Sequence, residues 1–217
     1  MLRNNVTIPA GQAALDGELV LPKDTGAVVL FAHGSGSSRF SPRNNYVATV
    51  LQEAGIGTLL FDLLTREEDR TYETRFDIEL LTKRLLAATA WVQQNPSTQT
   101  LRIGYFGAST AAAAALQAAA EMGSKFAAVV SRGGRPDLAG APALGRVSAP
   151  TLLIVGGEDF GVIELNESAY AKLRCEKELA IVPGATHLFE EPGTLEKAAK
   201  AAAHWFAKYC RGASSTG

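Results

Sequence analysis

Ser109, Asp159 and His187 are the residues of this 217-residue chain whose types and order could do chemistry together. A serine hydroxyl is a poor nucleophile until a base takes its proton, and imidazole titrates in the range that suits a base at neutral pH. A carboxylate against the ring's other N–H fixes the tautomer and stabilises the imidazolium as it forms. Each residue stands just past a short apolar run, where an open α/β sheet places its ligand. Spacings of 50 and 28 residues leave room for strand–helix units between them. The order serine, acid, histidine is the one such sheets use.

The window around Ser109 reads Gly107-Ala108-Ser109-Thr110-Ala111, an apolar β-preferring run that stops at a bend and passes into an alanine-rich helix former. So tight a turn strains the bend residue, pushes its hydroxyl outward and requires small neighbours two positions before and after. Gly107 and Ala111 fill those positions, with alanine where the usual pattern has a second glycine. A helix starting at Thr110 offers free N–H groups to an oxyanion. The Thr110 N–H and one from the 33–37 loop, that of Ser35, are the expected donors. The same window also fits a serine that merely caps a helix.

Other residues compete for roles. His33 precedes the glycine-serine loop and is expected to brace it, and His204 lies inside a helical stretch. Asp62 ends a strand and could orient the base in place of Asp159. Arg39 and Arg132 fall in loops at the same edge, where each either clamps a substrate carboxylate or pairs with a structural acid. Glu67, Glu68 and Asp69 belong to a charged excursion over 65–75 and read as solvated charges rather than metal ligands; no metal site is expected. The loop at 34–38 lacks both dinucleotide and P-loop spacing, which counts against a nucleotide-binding domain.

The elements that must position these residues alternate along the chain. A hairpin over 6–8 and 17–21 is followed by strands at 27–32, 57–62, 101–107, 126–130, 150–156 and 178–182. Helices are expected at 42–54, at 75–94 with Phe76, Leu80, Leu81, Leu85, Ala88 and Trp91 inward, after Ser109, at 162–173 and at 195–209. A short helix or loop runs to 146, and the tail 212–217 is expected to fray. This is the pattern of one doubly wound, mostly parallel α/β domain over 1–217, without a second domain or an insertion of lid length. A hydrophobic fraction of 47%, a charged fraction of 20% and a net charge of −1 suit an ordinary globule and give no drive toward nucleic acid or an anionic membrane. Without a basic, apolar leader or a long apolar run, a cytoplasmic setting is expected, with Cys175 and Cys210 reduced.

Six motifs carry a family resemblance: HGSGSSR at 33–39, FDLLT at 61–65, GYFGAST at 104–110, SRGGRPDLA at 131–139, LLIVGGEDF at 152–160 and GATHLFEEPG at 184–193. With them the chain resembles an α/β-hydrolase of the dienelactone hydrolase-like group, particularly the small uncapped domains related to those fused to phosphoribosyltransferases. The resemblance implies an eight-stranded, mostly parallel sheet without a cap domain, and Ser109, Asp159 and His187 as triad. Dienelactone hydrolases proper use cysteine as nucleophile, so their substrate does not carry over to a chain with Ser109. The expected function is cofactor-independent cleavage of a small carboxylic ester, or a thioester, through an acyl-enzyme. The competing expectation is a non-catalytic binding or regulatory module that keeps the hydrolase shell.

Overall fold

The computed structural model describes residues 1–210; the tail expected to fray, 212–217, lies outside the described residues. Eight strands form one sheet: β1 (Leu2–Ala10), β2 (Ala13–Leu21), β3 (Ala27–Ala32), β4 (Gly57–Phe61), β5 (Arg102–Ala108), β6 (Ala128–Arg132), β7 (Thr151–Gly156) and β8 (Lys177–Val182). Their spatial order is β1-β2-β4-β3-β5-β6-β7-β8. The β1–β2 hairpin pairs antiparallel, as does β2 with β4, and every other neighbour pair is parallel. This is the α/β-hydrolase sheet, with its antiparallel hairpin at one edge.

Strand periodicity splits the core into two layers. In β3, Val28, Leu30 and Ala32 face one apolar cluster while Ala27, Val29 and Phe31 face the other, so every residue of the strand is buried. Helices α2 (Ile78–Gln94), α3 (Ala111–Met122) and α5 (Phe160–Lys172) cover the first face. The four-residue helix α4 (Ala141–Leu144) lies with them. On the second face α1 (Pro42–Glu53) packs beside α6 (Thr194–Cys210), through Val47, Ala48 and Leu51 from one and Ala198, Ala202 and Phe206 from the other. No helix among the described residues is long and apolar enough to cross a membrane.

The observed limits correct two expectations. Helix α2 starts at Ile78 because Asp77 takes the N-cap and accepts the Leu80 N–H at 2.9 Å. Phe76 therefore falls in a 3₁₀ turn, 42% exposed, instead of packing inward. Strand β6 runs on to Arg132, which stands opposite Ala108 of β5 and Ile154 of β7. That pairing takes Arg132 out of the loop expected for it and buries it at the sheet's carboxyl edge.

Candidate active site

The bend after β5 is built around Ser109, which adopts a φ of 51°. A non-glycine residue in that region costs about 1–3 kcal/mol and persists only where its surroundings hold it. They do so here by hydrogen bonding: the Ser109 carbonyl accepts the N–H groups of Ala112 at 3.1 Å and Arg135 at 3.0 Å, and its own N–H reaches the Arg132 carbonyl at 3.3 Å. Gly107 supplies the clearance, since a Cβ there would lie 2.6 Å from the Ala112 Cα. Ala111 is the first residue of α3 and fully buried, so its methyl group packs into the core instead of obstructing the bend.

Asp159 and His187 come from the two loops beyond. Asp159 sits at the N-cap of α5, yet its carboxylate makes no capping bond. Oδ2 instead lies 2.7 Å from His187 Nδ1. A carboxylate can only accept, so the proton of the ring is on Nδ1 and Nε2 is left as the basic nitrogen. The Asp159 side chain is 16% exposed and that of His187 39%, so the pair is sheltered on the acid side and open on the other.

His187 and Ser109 line the same cleft, of about 110 Å³, with Ser35, Arg43, Asn44 and Arg132 among its other walls. No hydrogen bond joins His187 to Ser109 among the described residues; the nucleophile and base share a cavity with the ring's Nε2 unengaged. The 33–37 loop closes over the bend so tightly that a Cβ on Gly34 would lie 3.0 Å from the Ser109 Cβ. Ser35 is pinned in that loop by its Oγ, which donates to the Arg75 carbonyl at 2.9 Å. Neither the Ser35 nor the Thr110 amide donates within the chain among the described residues.

The rival residues separate cleanly. His33 is 8% exposed and accepts the Leu63 N–H on Nε2 at 3.0 Å, with Nδ1 3.2 Å from the Gly34 carbonyl. Both contacts are satisfied only by the neutral ring, and burial holds its pKa below the usual histidine value. His33 thus ties the loop to the chain after β4. His204 is exposed on α6, away from the cleft. Asp62 is engaged by Arg39, through both that residue's guanidinium and its backbone N–H at 2.7 Å. Arg39 lines a neighbouring cavity with Phe40 and Asp62, so the structure does not bring it to Ser109. Among the charges after β4, Glu68 pairs with Arg84 and Asp69 with Arg75.

Arg132 behaves otherwise. It is 7% exposed, and its nearest polar partner is the Asn44 Oδ1 at 3.4 Å. Its Nε has no partner among the described residues. Burial, reinforced by nearby Arg43, pushes its pKa down to about 10. Arg43 and Asn44, which bring the start of α1 to this cleft, escaped the sequence reading. The sequence predicts a helix over 42–54, but which edge of the sheet its start faces depends on how α1 packs.

Comparison with known proteins places this geometry in a lineage. Residues 15–210 match the dienelactone hydrolase family. Two curated relatives from strains of Mycobacterium tuberculosis, each named a putative phosphoribosyl transferase, are 56% identical over 212 residues, 98% of this chain. The chain spans about half the length of those relatives, 48%. The crystal structure of a dienelactone hydrolase from Anabaena variabilis is 56% identical, with a TM-score of 0.94 over 97% of this chain and 99% of that one. Est1E from Butyrivibrio proteoclasticus, 15% identical, superposes with a TM-score of 0.80 over 94% of this chain and 98% of its own, a likeness of fold. A strained serine at the β5–α3 bend, in a sheet of this order and within a match running from residue 15 to residue 210, identifies the chain as a member of the dienelactone hydrolase family.

Proposed function

We propose that this chain is a serine hydrolase that cleaves a small carboxylic ester, or a thioester, through an acyl-enzyme. The observation that carries the reading is the shared cleft of Ser109 and His187, with the His187 ring oriented by Asp159 at 2.7 Å. In the first half-reaction Ser109 Oγ attacks the acyl carbonyl as His187 Nε2 takes its proton. The oxyanion is met by the N–H groups of Thr110 and Ser35, each donor worth about 3 kcal/mol in the transition state. Collapse breaks the bond to the leaving alcohol, which receives the proton from His187. Water, deprotonated by the same nitrogen, then releases the acid and restores Ser109.

Arg132 is assigned to substrate binding on the strength of its burial in this cleft without an acidic partner. Arg39, committed to Asp62, is not. The proposal concerns the half of the Mycobacterium tuberculosis relatives that this chain matches, and no residue is assigned to transfer of a phosphoribosyl group. A fluorophosphonate probe is expected to modify Ser109 in the folded protein, and p-nitrophenyl esters to be turned over by wild type and not by Ser109→Ala. Folded protein left unmodified, with no turnover across the ester panel, would transfer the chain to the non-catalytic class.

A further inference from the structure

The cleft around Ser109 is charged in one sense only. Two arginines line it and no acid does. Arg132 is 7% exposed with an unpartnered Nε, and among the described residues no carboxylate pairs with it. The guanidinium's one hydrogen-bond partner among the described residues is the Asn44 Oδ1, and it packs over the Phe189 ring at 5.5 Å, so an anion in the cleft would supply the counter-charge it lacks.

A second element points at the same place. Helix α1 begins at the cleft wall, with Ser41 as N-cap, Pro42 in the first turn and no acidic residue there to absorb the helix's positive end. The Arg43 amide has no acceptor among the described residues. The Arg43 side chain leans on Glu190 at 3.0 Å, but that carboxylate is 64% exposed and lies outside the cleft. One unpaired amide at the helix start, a guanidinium with no acidic partner among the described residues and a second shared with a solvated acid together exceed a single positive charge. They match a tetrahedral dianion better than a singly charged carboxylate, which has two oxygens to offer.

We propose that the cleft seats a phosphoryl group carried by the substrate, held between Arg132, Arg43 and the N-terminus of α1, while the ester carbonyl lies at Ser109. The reaction part of this inference rests on the ester-cleaving reading; the binding part does not. The substrate is then a phosphorylated small ester or thioester, and the phosphoryl group stays on through the reaction because neither bond broken involves phosphorus.

The experiment has two arms. In wild-type protein, inorganic phosphate is expected to inhibit hydrolysis of neutral p-nitrophenyl acetate competitively, at least tenfold more strongly than chloride at matched ionic strength or malonate at matched concentration. In Ser109→Ala protein, which needs no turnover, inorganic phosphate is expected to raise the melting temperature and broaden its ³¹P resonance. Adding Arg132→Gln should weaken that binding at least tenfold, with circular dichroism confirming the fold. Phosphate no better than chloride, or malonate better than phosphate, overturns the proposal even if the acetate is cleaved. Arg132-dependent phosphate binding in a protein that cleaves no ester keeps the anion site and sinks the hydrolase reading instead.

Discussion

Gly156 and Ala185 meet backbone to backbone: a Cβ on Gly156 would lie 2.3 Å from the Ala185 carbonyl oxygen. The same two loops are laced by the Gly157 N–H to the Val182 carbonyl at 2.8 Å and the Glu158 N–H to the Ala185 carbonyl at 2.9 Å. The acid loop and the histidine loop are thereby one unit, and this is how Asp159 comes to meet His187 in register. Gly156→Ala should force them apart. The expected cost is about 1–3 kcal/mol in chemical denaturation, as for other overpacked sites, together with a fall in kcat. An unchanged midpoint and rate would show that the two loops are not coupled.

Asp159→Asn tests orientation without removing bulk. The amide can donate to Nδ1 and so favours the wrong tautomer, which should lower kcat by roughly 10³- to 10⁴-fold in an ester assay with the fold retained. A loss under tenfold would remove Asp159 from the catalytic group.

Ala111 departs from the glycine expected two residues after the nucleophile, and its burial says the methyl group is useful where it stands. Ala111→Gly should reduce stability by about 1 kcal/mol through lost burial and helix propensity. No more than a twofold change in kcat should accompany it. A large gain in rate would mean that the methyl group does distort the bend.

Arg132 gives a stability prediction separate from its role in binding. Replacing a buried, unpaired guanidinium with an apolar side chain of similar length relieves its desolvation, so Arg132→Met should stabilise the protein by about 1 kcal/mol. In a scanning calorimeter that appears as a rise of roughly 2–4 °C for a chain of this size. A lower melting temperature would show that the guanidinium is already satisfied.

His33 makes stability depend on pH. Burial lowers its folded pKa below 6.5, so below that pH the unfolded chain takes up a proton that the native state refuses. The native state should lose stability as pH falls from 6.5 toward the folded value, by up to about 1.4 kcal/mol per unit, and lose nothing from this group above 7. Denaturation midpoints between pH 5 and 7.5, compared with His33→Gln, isolate the contribution. Equal slopes in the two proteins would refute it.

The alternation of apolar runs with helical periods already contained the doubly wound sheet, because a strand buried on both faces must be apolar throughout, as 27–32 is. Ser109, Asp159 and His187 were legible for a related reason: each follows such a run, so topology alone carries all three to the carboxyl edge. The limits of α2 and β6 were not legible, since a local cap at Asp77 and pairing to distant strands decided them. The two arginines show the division most clearly. Both looked alike from their neighbours in the chain, and only packing gave Arg39 an acid and left Arg132 without one, because the partners of a long side chain come from elements far away in sequence.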